Sequence, residues 1–120
     1  MTRRPVVTTR RADEDVHSAI AYLSNHGGRS ASTSFIDALE AAFGAILDHP
    51  SIGSVRFAIE SRIPDVRTLA LRGHPYLLVY ARETDAIVVI RVLHRRRDLP
   101  ALFASGGDDA RPEGFEPPTF

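Results

Sequence analysis

The sequence predicts an α+β fold: a short N-terminal edge strand, an αα-hairpin, an antiparallel three-stranded β-meander and a short C-terminal helix. Three observations support this prediction. Apolar residues recur at helical spacing through most of the first half, a pair of glycines divides that pattern, and three β-branched or aromatic runs follow in the second half. With 120 residues, 43% of them hydrophobic and 25% charged, the chain suits one domain with its own core.

Residues 6–9 are predicted to form the edge strand, because all four are β-branched and they follow Pro5. From Ala12 the apolar spacing changes to three and four residues, which is the period of an amphipathic helix. Glycine adopts the left-handed conformation of a helix C-cap at little cost. We therefore expect the first helix to end at Gly27 and Gly28.

A second helix is predicted from Ser30, which can act as its N-cap, to a point before Pro50. Its apolar stripe consists of Phe35, Ala38, Leu39, Ala42, Phe43, Ile46 and Leu47. Two amphipathic helices joined by a tight turn form an αα-hairpin. Because such a hairpin cannot bury both stripes alone, we expect each helix also to face the sheet.

The sheet is predicted from three runs, at residues 66–71, 76–81 and 86–93. The connections between them are short, so neighbouring strands must be antiparallel. The last two runs are almost continuously apolar, which is typical of central strands covered on part of both faces. Tyr76 and Tyr80 should share one face, with their rings in the core and their hydroxyls at its rim. Residues 51–65 are predicted to be a loop with a short irregular strand around residues 55–59.

The end of the predicted domain is a short helix. Asp98 can cap it, Pro100 is tolerated in its first turn, and we expect it to run through Phe103. The ordered domain is then predicted to occupy residues 1–104. Residues 105–120 are polar and rich in helix breakers, which predicts a disordered tail. Its last seven residues, GFEPPTF, resemble a run-on of the reading frame, and we assign them no function.

The composition excludes several kinds of site. Cysteine is absent and the five histidines lack metal-ligand spacing, so we expect no metal and no cofactor. All fifteen basic residues are arginine, which leaves no lysine for Schiff-base or acid–base chemistry. Without a signal peptide or an apolar run of membrane length, the protein is expected to be cytoplasmic. The zero net charge argues against binding nucleic acid by bulk charge, but not against a local basic patch.

The residues best suited to catalysis or binding lie at the end of the last predicted strand, where His94 is followed by Arg95, Arg96 and Arg97. Such a cluster can contact phosphates or an acidic protein, because arginine forks pair with both. The arginines that could extend it from the loop and the sheet are Arg56, Arg62, Arg67, Arg72 and Arg91. In the alternative interpretation, His94 hydrogen-bonds locally and an arginine pairs with a nearby carboxylate such as Asp98. The sequence leaves both interpretations open.

Several short segments carry a further signal through their order and spacing. They are ADEDV from Ala12, Tyr22, SFIDAL from Ser34, the turn His49-Pro50-x-x-Gly53, Arg67-x-Leu69, PYLLVY from Pro75, and Val92-Leu93-His94-x-x-Arg97-Asp98. Together, from Val6 to Phe103, they resemble the ParE/RelE family of bacterial toxins. The resemblance implies a type II toxin encoded beside an antitoxin, with an edge strand, a helical hairpin and an antiparallel sheet curved over it.

The helix lengths and the H-x-x-R-D ending are most similar to the ParE-like branch, which implies inhibition of DNA gyrase by direct binding without a catalytic residue. The target contacts that this implies are His94, Arg95, Arg96, Arg97, Leu99 and Phe103. The resemblance also implies a ParD-like antitoxin, with a disordered acidic or amphipathic segment that folds onto the hairpin and the sheet in a toxin–antitoxin hetero-oligomer. Its implied contacts are Tyr22, Phe35, Leu39 and Phe43.

Two alternatives stay open beside this expectation. The RelE-like branch resembles ribosome-dependent messenger-RNA endonucleases, and such an enzyme would use His94 as acid or base. The phosphate would then be held by Arg72, Arg96 or Arg97. The chain has no lysine and no tyrosine after Tyr80, so it lacks much of that chemistry. The second alternative is a degenerate toxin that only binds its antitoxin.

Overall fold

A long helical segment and a four-stranded sheet make up the computed structural model, which describes residues 4–55 and 65–98. The elements are β1 (Val6–Thr8), α1 (Arg10–Asp48), β2 (Val66–Ala70), β3 (Tyr76–Arg82) and β4 (Ile87–His94). The helix predicted up to Phe103 and the tail predicted at 105–120 lie outside the described residues, as does most of the irregular strand predicted around 55–59. Next to that strand, Ser54 forms an isolated antiparallel bridge with Thr68.

The helical segment α1 has 39 residues and a break in its backbone dihedrals at Gly28, where φ is 80° and ψ is −174°. Thr9 caps its start, because the Thr9 hydroxyl accepts a hydrogen bond from the backbone N–H of Ala12 at 3.0 Å. This break divides the segment into two helices at the glycine pair, where the sequence predicted the first helix to end, and the turn between them is a single residue. A single residue in a conformation that favours glycine is enough to redirect the chain. Ser30, the predicted N-cap, therefore lies inside the segment.

We call residues 10–27 the first arm of α1 and residues 29–48 its second arm. Both arms pack against the same sheet. The shared core comprises Ala12 and Ala19 of the first arm, Phe35, Leu39, Ala42 and Ile46 of the second, and Leu71, Tyr76, Leu78, Tyr80, Ile87, Val89 and Val92 of the sheet region. In the described part of the chain, no helix is both long enough and apolar enough to cross a bilayer.

The sheet has the strand order β1-β4-β3-β2. Strands β2, β3 and β4 pair antiparallel, as the short connections predicted. Strand β1 is at an edge as expected, but it runs parallel to β4, with Val6 opposite Ile87, so the sheet is mixed rather than wholly antiparallel. Parallel pairing requires a long connection between the two strands, and α1 with the following strands supplies one.

The central strands β3 and β4 are buried on both faces. Leu78 and Val89 belong to the core beneath the helical arms and are fully buried. Leu77 and Leu93, which pair with each other across β3 and β4, point to the opposite face and are only 8% and 1% exposed. The prediction from their continuously apolar sequence is confirmed.

Tyr80 anchors the segment after α1 to the sheet. Its hydroxyl donates a hydrogen bond to the carbonyl of Pro50 at 2.8 Å and accepts one from the backbone N–H of Gly53 at 2.9 Å. A Cβ atom at Gly53 would lie 2.7 Å from that hydroxyl and 2.8 Å from the carbonyl oxygen of Thr68, so only glycine fits. The tyrosine is fully buried, which raises the pKa of Tyr80 and places its hydroxyl inside the core, not at the predicted rim.

Candidate interaction surface at one end of the sheet

Two turns meet at one end of the sheet and bring separate arginines together. The β2–β3 turn contains Arg72, and the residues after β4 are Arg95, Arg96 and Arg97. The backbone N–H of Arg95 donates to the carbonyl of Pro75 at 2.8 Å, which holds the two turns side by side. We call these four arginines the basic sheet end. All four are exposed.

The side chain of His94 organises the turn that follows it. Its Nδ1 atom accepts hydrogen bonds from the backbone N–H groups of Arg96 and Arg97, at 3.2 and 3.1 Å. Its ring packs edge-to-face on Tyr76, with the centroids 5.1 Å apart. His94 therefore hydrogen-bonds locally, as the second interpretation of the sequence predicted, and its Nδ1 lone pair is already in use.

Asp98 closes the same turn from the other side. Its carboxylate accepts a hydrogen bond from the backbone N–H of His94 at 2.9 Å and another from Nε of Arg97 at 3.1 Å. The backbone N–H of Asp98 also donates to the carbonyl of His94 at 2.9 Å. The turn is thus held by side-chain and main-chain bonds at both of its ends.

The charges in this turn shift one another's proton affinity. Burial lowers the pKa of His94, the positive charge of Arg97 lowers it further, and Asp98 opposes both. Burial acts to raise the pKa of Asp98, but the hydrogen bonds from Arg97 and from the His94 N–H outweigh it, so that pKa is lowered. The hydrogen bond to Asp98 raises the pKa of Arg97. The turn therefore favours a neutral His94 beside an ionised Asp98.

A pH titration should reveal this arrangement. Because the pKa of His94 is lowered in the fold, its contribution to stability is fully present above the ordinary value of 6.5 and is lost as the pH falls through the lowered pKa. Protonation at Nδ1 would break both bonds to the backbone. We expect the amide NMR signals of Arg96 and Arg97 to shift together, with a midpoint below 6.5. His94→Ala should abolish that titration, and a midpoint above 6.5 would contradict the geometry.

The arginines of the basic sheet end differ in what they contact. The guanidinium of Arg97 pairs with Asp98, at 3.1 Å from Nε to Oδ1. Within residues 4–55 and 65–98, the guanidinium groups of Arg72, Arg95 and Arg96 make no hydrogen bond and no ion pair. Three guanidinium groups are therefore available to a partner.

Other arginines that the sequence linked to this cluster are engaged inside the fold. Arg91 makes a bidentate pair with Asp15, at 2.8 and 3.0 Å, and Arg67 donates to the carbonyl oxygens of Ser51 and Gly53. Arg56 and Arg62 lie outside the described residues. Sequence reasoning did not find the role of Asp15, because 76 residues separate it from Arg91 and no local pattern links them.

A groove of about 410 Å³ adjoins the basic sheet end, between the first arm of α1 and the end of β4. Its lining residues are Asp15, Ser18, Tyr22, Tyr76, Arg91, Val92, Arg97 and Asp98. Tyr22 is 49% exposed, and its ring stacks on His26 with the centroids 4.0 Å apart. The groove therefore joins an exposed aromatic ring on the helix to the turn after β4.

The four predicted antitoxin contacts occupy different environments. Tyr22 is on the surface and Phe43 is half-buried, whereas Phe35 is fully buried and Leu39 is 7% exposed. An apolar stripe on a helix indicates a face that is covered, without saying whether the sheet or a partner covers it. Of the predicted target contacts, His94, Arg95, Arg96 and Arg97 lie together in one turn, and Leu99 and Phe103 are outside the described residues.

The four residues considered for a ribonuclease, Arg72, His94, Arg96 and Arg97, all lie at this end of the sheet. The Nδ1 atom of His94 is occupied by backbone N–H groups, which leaves Nε2 as the atom that could exchange a proton. Among the residues that the structure describes, no group of three His, Asp or Glu side chains could hold a metal ion.

Comparisons with known proteins agree with this fold. The family described as "ParE toxin of type II toxin-antitoxin system, parDE" matches residues 6–99. A solved chain of the chromosomal ParDE TA system from P. aeruginosa has a TM-score of 0.64 and 18% identity, and the alignment covers 77% of this chain and 96% of that chain. No curated protein matches the sequence. Because the family match spans most of the chain, this protein belongs to the ParE toxins of type II toxin–antitoxin systems.

Proposed function

We propose that this ParE toxin inhibits DNA gyrase in the cytoplasm by binding it through the turn after β4, and that a ParD-like antitoxin neutralises it. The observation that carries the proposal is the division of labour within the turn. His94 and Asp98 hold the backbone, while the guanidinium groups of Arg95 and Arg96 extend from it without partners among the described residues. Leu99 and Phe103, which follow in sequence, complete the proposed contact.

This division of labour favours binding over proton transfer. A general base needs a lone pair within hydrogen-bond reach of the proton that it removes. The Nδ1 lone pair of His94 already accepts two backbone N–H groups, and Tyr76 beside it is 2% exposed. The chain also has no lysine that could transfer a proton in place of His94 or Tyr76. A turn whose backbone is already held in place suits recognition, because a pre-ordered backbone loses less entropy on binding.

The groove beside the turn is the proposed antitoxin seat. Tyr22 offers an exposed aromatic ring, a type of side chain that often anchors protein interfaces. Arg97 and Asp98 line the same groove, so a segment bound there would cover one side of the turn that we assign to gyrase. Neutralisation then follows from steric overlap of the two partners. Phe35 supports this seat from within the core through its contact with Tyr76, which lines the groove, whereas Leu39 and Phe43 pack in or against the core and do not line it.

A supercoiling assay with purified gyrase tests the proposal. The wild-type toxin should inhibit supercoiling, and the double variant Arg95→Ala/Arg96→Ala should need at least about tenfold more toxin, because hot-spot arginines each contribute more than 1 kcal/mol to binding. The matched control is Arg4→Ala/Arg82→Ala, which removes the same charge at the opposite end of the sheet. The control should inhibit like the wild type.

Two results would contradict this proposal. Wild-type toxin in large excess that leaves gyrase active, with no trapped cleavage complex, would exclude gyrase as the target. Equal loss of inhibition in the test and control variants would show that total charge matters and that the turn does not.

A second candidate function has one observation in its favour: the fold brings Arg72 to the same end of the sheet as His94, Arg96 and Arg97, as a messenger-RNA endonuclease would need. In that case His94 would exchange a proton through Nε2, and the arginines would stabilise the phosphate. Cleavage of ribosome-bound message by the wild type, lost in His94→Ala, would establish this activity. If the toxin neither inhibits gyrase nor cleaves message, the remaining hypothesis is a degenerate toxin that binds only its antitoxin.

A further inference from the structure

We propose that Arg72, Arg95 and Arg96 bind the phosphate backbone of duplex DNA, so that the toxin engages gyrase together with the DNA that gyrase holds. This inference rests on the proposed function, since it assumes gyrase as the protein partner. It adds a second class of ligand to the same end of the molecule. It also assigns separate tasks to the arginines of the basic sheet end, because Arg97 is paired with Asp98 and the other three are not.

The first support is local charge. The protein as a whole has a formal net charge of zero, so nothing draws it to DNA over its entire surface. At the basic sheet end, however, the carboxylate of Asp98 is engaged by Arg97 and by the His94 N–H. Arg72, Arg95 and Arg96 are exposed, and their guanidinium groups have no acidic partner within residues 4–55 and 65–98. Each can therefore form a bidentate pair with a phosphate.

The second support is that no exposed large apolar side chain among the described residues belongs to the turns that carry these arginines. Protein interfaces centre on buried aromatic or aliphatic side chains, whereas phosphate contacts require only charge and hydrogen-bond donors. In the described part of the chain, the exposed large apolar residues are Val7, Tyr22, Ile36, Ile52 and Val55. None of them belongs to the β2–β3 turn or to the turn after β4. Among the described residues, these two turns therefore present guanidinium groups that suit phosphates, while Leu99 and Phe103 remain assigned to the protein contact.

The third support is that both turns have a defined backbone. Gly73 has a φ of 78°, which shapes the β2–β3 turn and favours glycine there. The turn after β4 is held by His94 and Asp98, and the bond from Arg95 N–H to Pro75 joins the two turns. The three arginines therefore project from one pre-ordered unit, and only their side chains lose freedom when DNA binds.

The salt dependence of binding to a short mixed-sequence DNA duplex tests this inference. Fluorescence anisotropy of the labelled duplex, with full-length toxin at a series of salt concentrations, gives the slope of log K against log salt. Three phosphate contacts predict a slope of about −2.7, and each Arg→Ala change should reduce its magnitude by about 0.9. The triple variant Arg72→Ala/Arg95→Ala/Arg96→Ala should have a slope near zero. The control Arg4→Ala/Arg82→Ala should match the wild type.

Several outcomes would overturn the inference. Equal slopes for the wild type and the triple variant would show that these arginines do not contact phosphates. Binding to single-stranded RNA of the same length that is tenfold tighter than to the duplex would assign the surface to RNA. A triple variant that has lost its cooperative thermal unfolding would be replaced by the single variants, whose slopes carry the same prediction.

A pull-down with gyrase separates failure of this inference from failure of the proposed function. The inference predicts that wild-type toxin is retained more strongly by gyrase when duplex DNA is present. Arg72→Ala, which leaves the proposed gyrase contacts Arg95 and Arg96 in place, should weaken this DNA-dependent gain while it keeps the DNA-independent retention. Retention that is equal with and without DNA would mean that the arginines contact only a protein surface. Gyrase inhibition without any DNA-dependent gain would overturn the inference and leave the proposed function standing.

Discussion

Replacing Phe35 with alanine should lower the free energy of unfolding by about 3–5 kcal/mol. The ring is fully buried in the shared core. It packs edge-to-face against Tyr76 with centroids 5.1 Å apart and against His74 at 5.8 Å. Alanine would remove these contacts and leave a cavity that neighbouring side chains fill only in part. Denaturant unfolding followed by circular dichroism measures the loss.

The neighbouring residue provides the control for this prediction. Ile36 is 36% exposed on the same helical arm and is not part of the shared core, so Ile36→Ala should cost much less, about 1 kcal/mol. If Phe35→Ala is as mild as Ile36→Ala, the second arm does not pack on the sheet as the structure shows. The comparison also bears on the antitoxin, because a domain of this size is stable by only about 5–15 kcal/mol. A Phe35→Ala toxin that fails to bind antitoxin could simply be unfolded.

Tyr22 is the better probe of the antitoxin seat. Its side chain is half exposed, so Tyr22→Ala should leave the fold intact while it removes an aromatic anchor from the groove. Folded Tyr22→Ala toxin that binds antitoxin as well as the wild type would place the seat elsewhere on the molecule. The pair of variants therefore distinguishes a core residue from a contact residue, which an apolar stripe alone does not.

Replacing Asp15 with alanine should cost about 2–4 kcal/mol of stability, somewhat below the range for a fully buried pair because some solvent reaches it. The side chains of Asp15 and Arg91 are 15% and 16% exposed. The carboxylate accepts two hydrogen bonds from the Arg91 guanidinium and a third from the backbone N–H of Val92 at 2.9 Å. Its removal would leave a largely buried cation and a main-chain donor without their partner.

A neighbouring carboxylate and a double variant complete this experiment. Glu14 is exposed, and its ion pairs within the described part of the chain are with Arg10 and Arg11 on the helix surface, so Glu14→Ala should have a small effect. Adding Arg91→Met to Asp15→Ala should recover part of the loss, because the unpaired charge is gone. The two single changes should therefore be clearly non-additive in denaturant unfolding. Strict additivity would show that the two side chains do not interact in solution.

The sequence allowed much of the fold to be predicted, because the relevant signals are local. Helical spacing located both arms of α1, and glycine marked the position where the backbone departs from the helix. The short connections after residue 71 correctly predicted antiparallel pairing of β2, β3 and β4. The resemblance to the ParE/RelE toxins, with the ParE-like branch preferred, is confirmed by the family match over residues 6–99.

What the sequence could not supply were contacts between distant positions. Periodicity placed Phe35 and Tyr22 on helices, but it could not tell that the sheet covers Phe35 and leaves Tyr22 exposed. The parallel pairing of β1 with β4 was missed, because three residues carry no information about the direction of their neighbour. The pairing of Asp15 with Arg91 likewise depends on how α1 meets β4, which no local spacing encodes.

The sequence by itself determined the class of the protein: an α+β toxin domain without lysine or cysteine, with its richest chemistry at His94 to Asp98. Only the tertiary structure decided how that chemistry is used. It directs the Nδ1 lone pair of His94 to the backbone, pairs Arg97 with Asp98, and brings the turn that contains Arg72 to the same end of the sheet as Arg95 and Arg96. The physical reason is that residue types and spacing define which groups are available. The pairing of the strands and the packing of the helices on the sheet define which of these groups meet and which stay exposed to a partner.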